Sequence, residues 1–222
     1  MTRHVIFDFD GTLVDSAPAI IATLERTVLK HGLQPLRQAG RDMIGPPLLA
    51  TLSGYTGVSD VALLEALAHS FKQVYDSEGI EATLLYPGIA PLLQQLQSSG
   101  CRLWLATNKR QRPTELLLEK FGLRPLFSSV YCLDTRQPPY ADKTRMLIEL
   151  LGEQGIKAAD AVYVGDTCHD EKAAAGAGLA FIGVAWGYGS GEQRLSSHAV
   201  CATDAVALAT VITQHFFGGT RA

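Results

Sequence analysis

His4-Val5-Ile6-Phe7-Asp8-Phe9-Asp10-Gly11-Thr12-Leu13-Val14-Asp15 is the stretch that decides how this chain is read. From His4 to Phe9 the run is apolar with little polar alternation, which predicts a parallel strand covered on both faces. Asp8 and Asp10 fall at its carboxyl end, where open α/β sheets bind their ligands. Two carboxylates so close repel unless a proton or a cation sits between them. Mg²⁺ meets that need, being a hard ion that accepts carboxylates, carbonyls and waters. The bland alternative is an Asx-turn in which Asp10-Gly11 only reverses the chain. The strand before it, the second aspartate and the following Thr12 favour the cation.

Outward from that stretch, short apolar runs alternate with amphipathic ones, the pattern of an α/β fold with a parallel sheet. Strands are expected at Cys101 to Thr107, Ser129 to Leu133, Ala161 to Val164 and Leu179 to Ala185. Helices are expected at Ile89 to Gln97, Thr114 to Phe121, Thr144 to Leu151 and Asp170 to Ala175, with Gly100, Gly122, Gly152 and Gly176 as their stops. His198 to Cys201 reads as an edge strand before a last helix, Ala205 to His215. One region breaks the alternation. From Asp15 to about Glu81 the signals are helical only: Ser16 and Pro18 open a helix that runs toward Gly32, and Ser59 caps a longer one carrying Leu67, Phe71 and Tyr75. Ile44-Gly45-Pro46-Pro47 reads as a turn between them. The expected fold is a Rossmann-like doubly wound parallel sheet, residues 1–14 and 83–222, with an all-helical cap inserted at 15–82. Linkers near Val14 to Ala17 and Glu81 to Tyr86 are expected to let the cap open and close.

Composition narrows the functional classes. A formal net charge of −3 with 18% charged residues supplies no basic face for nucleic acid, and Lys109, Arg110 and Arg112 are too few to make one. No apolar run approaches the ~18 residues of a membrane span. The start, Met1-Thr2-Arg3-His4, shows no signal-peptide core. Four scattered cysteines form no CxxC pair and read as reduced thiols. A cytoplasmic protein, monomer or homodimer, is expected.

The other strand ends carry chemistry toward the same edge. Ala106-Thr107-Asn108-Lys109 offers a hydroxyl and backbone N–H groups suited to a phosphate oxygen, although Thr107 or Asn108 could equally cap a turn. Gly165-Asp166-Thr167-Cys168-His169-Asp170 supplies a second acidic pair, with Asp170 alternatively a helix N-terminal carboxylate. Lys143 opens a helix and could be the cation such a site needs, or solvated surface. Trp104 reads as core, Cys168 as a small buried filler and His169 as an exposed loop residue. Gly187, Gly189 and Gly191 are too loosely spaced for a dinucleotide fingerprint.

Together these residues resemble the haloacid dehalogenase-like hydrolases over essentially the whole chain, and within them the phosphoglycolate phosphatase-like members. Asp8 to Asp15 is similar to the first motif of that superfamily, DxDGTLxD. Thr107 is similar to its second, Lys143 to its third, and Gly165-Asp166 through Asp170 to its fourth, GDxxxD. The resemblance implies that Asp8 attacks phosphorus to form an aspartyl phosphate, while Asp10 acts as acid and then base. It implies Mg²⁺ held by Asp8, Asp10, Asp166 and Asp170, with the Asp10 contribution through its backbone carbonyl. Thr107 and Lys143 would hold the phosphoryl oxygens, Lys109 being the reserve lysine because no proline follows Lys143. Gly11, Thr12, Asn108 and Lys109 are expected on the substrate side. Arg41, in the stretch Arg41 to Leu48 that resembles a substrate-facing cap loop, is expected to bind the leaving group or else to pair with a carboxylate. The substrate class implied is a small phosphorylated metabolite, phosphoglycolate first. A nucleotidase or pyrophosphatase with the same chemistry, a sugar phosphomutase and a non-enzymatic protein on the same fold are the alternatives.

Overall fold

The computed structural model describes residues 2–217. β1 (Arg3–Phe7) is an inner strand of a six-stranded sheet, between β4 (Cys101–Thr107) and β6 (Ala161–Gly165). β5 (Phe127–Cys132) lies beyond β4, and β7 (Ala180–Val184) and β8 (Cys201–Ala202) lie beyond β6. Every pairing in this sheet is parallel. The apolar runs follow from that: Val5 and Phe7 enter one buried layer and Ile6 the other. The first layer is filled by α5 (Ile89–Ser98), α6 (Gln111–Lys120) and α9 (Ala205–Phe217). The second is filled by α7 (Lys143–Glu153) and α8 (Cys168–Gly176) through Met146, Leu147, Leu150, Ala173 and Ala174. Each large side chain so buried contributes about 1.5–3 kcal/mol of transfer free energy. Helices on both faces make the sheet doubly wound, as expected.

Between β1 and α5 the chain leaves the sheet. β2 (Val14–Asp15) and β3 (Leu84–Leu85) pair antiparallel, so the outgoing and returning segments run side by side. What lies between is helical: α1 (Ala17–Lys30), α2 (Leu48–Thr56), α3 (Val61–Val74), a π-turn at Tyr75–Gly79 and the single turn α4 (Ile80–Ala82). Leu24, Val28, Leu52, Tyr55, Leu67 and Phe71 of this insertion share the apolar layer of Val5 and Phe7. The insertion therefore sits on the sheet through one continuous core.

Several boundaries differ from the sequence reading. β1 stops at Phe7 because the Phe9 carbonyl already accepts from the N–H groups of Thr12, Leu13 and Val14, which turns the chain. Gly152 and Gly176 lie within α7 and α8; the positive-φ residues beyond those helices are Gly155 (+62°) and Gly178 (+70°). Asp60, not Ser59, caps α3, accepting from the Leu63 N–H. α2 had no counterpart, because Pro46-Pro47 reads as a stop when it is also a helix entry, with Pro47 at the N-cap. α6 begins three residues early, since Pro113 falls in a first turn whose N–H groups need no helical partner. The last strand is Cys201–Ala202 rather than His198 to Cys201. Among the described residues no helix is long and apolar enough to cross a membrane.

Candidate active site

The loop after β1 carries Asp8 and Asp10, β4 ends on Thr107 and the loop after it carries Asn108 to Arg110, and the loop after β6 carries Asp166. Lys143 and Asp170 lie in the first turns of α7 and α8. Parallel strands put all these ends at one edge of the sheet. One carboxylate oxygen from each of Asp8, Asp166 and Asp170 lies within 4.8 Å of the others, and all three residues are buried. Lys143 Nζ stands 3.0 Å from Asp8 Oδ1 and 2.6 Å from Asp170 Oδ1.

The neighbours of each acid decide what it can do. Thr12 Oγ1 donates to Asp166 Oδ1 at 3.2 Å, and the Tyr188 N–H donates to Oδ2 at 2.6 Å. Asp170 completes a capping box with Thr167, whose hydroxyl donates to Oδ2 at 2.6 Å while its backbone N–H donates at 3.0 Å. The two readings of Asp170, helix cap and member of an acidic cluster, are therefore both realised. Asp8 Oδ1 is different: its ion pair with Lys143 is not aligned as a hydrogen bond, and this buried oxygen has no hydrogen-bond partner.

These surroundings move the acids in opposite directions. Burial pushes the Asp8 carboxyl up to about 6, against the pull of Lys143 and with a further push from Asp170. Burial, then the charges of Asp170 and Asp8, push Asp166 well above the carboxylate range, against the Tyr188 N–H. For Asp170 burial also pushes upward, but Lys143 and the Thr167 hydrogen bonds outweigh it and hold the group low. Burial pulls Lys143 down, yet Asp170 and Asp8 raise it well above its usual value.

The donor set fits Mg²⁺. It is all oxygen, and with all three acids ionised the site would carry two negative charges more than Lys143 balances, the cost that raises Asp8 and Asp166 and that a divalent cation would relieve. Asp8 Oδ1, ion-paired to Lys143 but without an aligned hydrogen bond, is the atom that a cation would satisfy.

Asp10 belongs to a second constellation. Lys109 Nζ donates to its two carboxylate oxygens at 2.9 and 3.1 Å and to the Tyr75 hydroxyl at 2.9 Å. Ser16 Oγ donates to Asp10 Oδ1 at 2.6 Å. Ser16 is the N-cap residue of α1 but makes no side-chain capping bond. The Tyr188 hydroxyl takes over, accepting from the N–H groups of Ser16 and Ala17 at 2.8 and 3.1 Å. Next to Lys109, Arg110 makes a two-point pair with Asp76 of the π-turn. Two adjacent residues of the sheet edge thus grip two adjacent residues of the insertion.

A cavity of about 580 Å³ opens between the sheet edge and the insertion. Asp8, Asp10, Thr107, Asn108, Lys109 and Lys143 all line it. Asn108 also donates from Nδ2 to the Gly45 carbonyl at 3.0 Å. Gly11 and Thr12 do not line the cavity; they pack against Asp166 instead. A Cβ on Gly11 would stand 2.2 Å from Asp166 Oδ2, and φ is +84°, so only glycine fits. Arg41 is likewise outside the cavity, paired to Asp15 at 2.8 Å and stacked over the Tyr188 ring. The carboxylate partner, one of the two outcomes foreseen for Arg41, captured it.

Ser16, Tyr75, Gly187 and Tyr188 were not anticipated at the site. Gly187 and Gly189 hold the loop after β7 against Asp166, where a Cβ on Gly187 would come within 2.3 Å of the Asp166 Cβ. The run of glycines after a strand was the available signal. Cys168 is half-buried rather than buried, His169 is exposed, and Trp104 is core, donating to His4 Nδ1 at 3.1 Å.

A parallel sheet whose strand ends gather buried acids and lysines at one edge, with Asp8, Asp10, Lys109 and Lys143 on the cavity and Asp166 and Asp170 beside them, defines a site for phosphoryl chemistry, and the comparisons agree. The haloacid dehalogenase-like hydrolase family matches residues 5–184, and the chain belongs to that family. Its place there is among phosphoric monoester hydrolases. The phosphoglycolate phosphatase of Synechococcus elongatus is 32% identical over 199 residues, covering 90% of each chain. The tyrosine-protein kinase PtkA of Mycobacterium tuberculosis is 32% identical over 85% of this chain, which spans 64% of that protein. A structure described as a predicted phosphatase from Clostridium acetobutylicum superposes with a TM-score of 0.86 at 26% identity, covering 96% of this chain and 99% of the other.

Proposed function

We propose that this chain is a Mg²⁺-dependent phosphatase of small phosphorylated metabolites that works through an aspartyl phosphate on Asp8. The observation that carries the reading is Asp8 itself: a buried carboxylate on the cavity wall, 3.0 Å from Lys143, with one oxygen lacking a hydrogen bond. An Asp8 oxygen attacks phosphorus while the ester oxygen departs with a proton from Asp10. Asp10 then takes a proton from water as that water attacks phosphorus, breaking the aspartyl bond and freeing phosphate. Thr107 and Lys143, which line the same cavity as Asp8, would hold phosphoryl oxygens. Asp8, Asp166 and Asp170, with the Asp10 carbonyl, would hold Mg²⁺, which supplies charge neutralisation for the transferring group.

Both Asp10 oxygens are taken by Lys109, a posture suited to the base half of this cycle. The acid half needs the ammonium to move off. Its other partner, Tyr75, belongs to the insertion, so we assign residues 15–82 the role of a cap. The β2–β3 ribbon is the hinge about which that cap moves. Phosphoglycolate, named for the relatives, is the first ester to assay, with nucleotides and pyrophosphate beside it.

The test is acid quenching with a radiolabelled ester. The parent protein with Mg²⁺ should carry label on Asp8 and release phosphate, and EDTA should stop release until Mg²⁺ is restored. Asp8→Asn should lose at least about 10⁴-fold in turnover. Turnover by that variant at the parent rate, or full activity in EDTA, would sink the reading.

A further inference from the structure

The two ends of the cavity differ in kind. Its sheet-edge end is ionic, and every cation there stands on a carboxylate: Lys143 on Asp8 and Asp170, Arg110 on Asp76, and Lys109 on Asp10, with the Tyr75 hydroxyl as the partner that keeps Lys109 when it moves off Asp10. The wall opposite is furnished by the insertion and is apolar, with Ile20, Met43, Ile44, Leu48 and Phe71 facing the same space. Arg41, the cation that could have met a second anion on the substrate, is outside the cavity and paired to Asp15. The other basic groups that reach the cavity, His69 and Lys72, are exposed and share a face of α3 with Glu65.

We infer that the leaving group accepted here is an alcohol with an apolar ring or chain, rather than one carrying a second anion. The inference rests on the phosphatase reading and narrows its substrate class. A carboxylate two atoms from the phosphoryl group would meet the apolar wall of Met43, Ile44 and Leu48, with Lys72 and His69 only at the exposed rim, and would give up hydration for little in return. An apolar body would lose unfavourable hydration in the same place. At about 580 Å³ the cavity has the volume that encloses a ligand of drug size, far more than a two-carbon acid needs. Its apolar wall also leaves the exposed rim of α3 to face solvent or a polar tail.

The test compares alkyl phosphates, whose ester oxygens leave with comparable difficulty. With Mg²⁺ present, kcat/KM for 2-phenylethyl phosphate and n-hexyl phosphate should exceed that for ethyl phosphate and phosphoglycolate by about 10-fold or more. Most of the difference should lie in KM. Phosphoglycolate turned over as well as or better than 2-phenylethyl phosphate would overturn the inference while leaving the phosphatase reading intact. Hydrolysis of no ester at all would strike the phosphatase reading instead. The pocket is then judged by calorimetry with two inert phosphonates. 3-Phenylpropylphosphonate should bind about 10-fold more tightly than 3-phosphonopropionate, and equal affinities reject the apolar pocket. Leu49→Arg, at a cavity position 47% exposed and so tolerant of change, should shift the preference toward phosphoglycolate.

Discussion

The sheet edge and the insertion enclose one cavity with opposite physics. On the sheet edge, charge is buried and each group is held by named partners: Thr12 and Tyr188 on Asp166, Thr167 and Lys143 on Asp170, Lys109 and Ser16 on Asp10. On the insertion the wall is mostly apolar, with Met43, Leu48 and Phe71 in or against the core that fastens it to the sheet and Tyr75 as the directional exception. The first half fixes one geometry and the second fits by shape. The chemistry belongs to the half that cannot vary, the choice of leaving group to the half that can.

If the sheet edge stores electrostatic stress for a cation, removing charge there should stabilise the metal-free protein. Asp8 has its folded-state pKa raised from 3.8 to about 6 by burial. Its protonated form is favoured in the fold, so its contribution is fully present below pH 3.8 and lost as pH rises through about 6. At neutral pH the ionised carboxylate costs up to about 3 kcal/mol. Without metal, Asp8→Asn is therefore expected to melt higher than the parent at pH 7.5, with the gap narrowing at pH 5. Mg²⁺ should raise the parent more than the variant. A metal-free variant that melts lower at pH 7.5 would show the edge to be unstressed.

The contrast sharpens at Gly187, which lets the loop after β7 close on Asp166. An added Cβ would meet the Asp166 Cβ at 2.3 Å and the Gly11 carbonyl oxygen at 2.5 Å, so the loop or the carboxylate must shift. Gly187→Ala is expected to weaken Mg²⁺ binding by about 10–100-fold, read by calorimetry, as for other supports of metal ligands. On the insertion wall the same kind of change, Ala68→Ser, should leave Mg²⁺ affinity unaltered. Equal effects at both positions would erase the distinction between the halves.

That distinction also explains what could be read from the chain. Asp8-Phe9-Asp10-Gly11-Thr12 and Gly165-Asp166 are legible because their chemistry is contiguous and sits where an apolar run ends. Lys143 is legible as one of two readings, and the resemblance tips the choice, since a lysine opening a helix looks like surface until Asp8 and Asp170 are seen around it. The wall is legible in part. Met43, Ile44 and Leu48 lie in the one stretch, Arg41 to Leu48, that resembles a substrate-facing cap loop, whereas Ile20 and Phe71 come from helices whose apolar spacing is the spacing of any core. Tyr188 was hidden differently: its backbone N–H serves Asp166 and its hydroxyl caps α1, roles that depend on a loop returning from the far end of the sheet.

Of the polar contacts between the two halves, one reaches Asp10 through Lys109, which is shared between Asp10 and the Tyr75 hydroxyl. Removing that hydroxyl leaves the ring in its stack with Phe71 and under the Lys109 ammonium, so packing is kept while the hydrogen-bond link is cut. If the link sets where Lys109 stands, and through it how Asp10 meets the ester oxygen, Tyr75→Phe should slow esters that need a proton to leave. It should slow much less those that do not. The expected loss in kcat is about 10-fold for ethyl phosphate, a fraction of the 10²–10⁴ that general acid catalysis supplies. For p-nitrophenyl phosphate, whose phenolate leaves unaided, it should be within about 2-fold. Equal losses on both esters would mean that Tyr75 only packs. A larger loss on p-nitrophenyl phosphate would mean that the cap acts on the phosphoryl group itself.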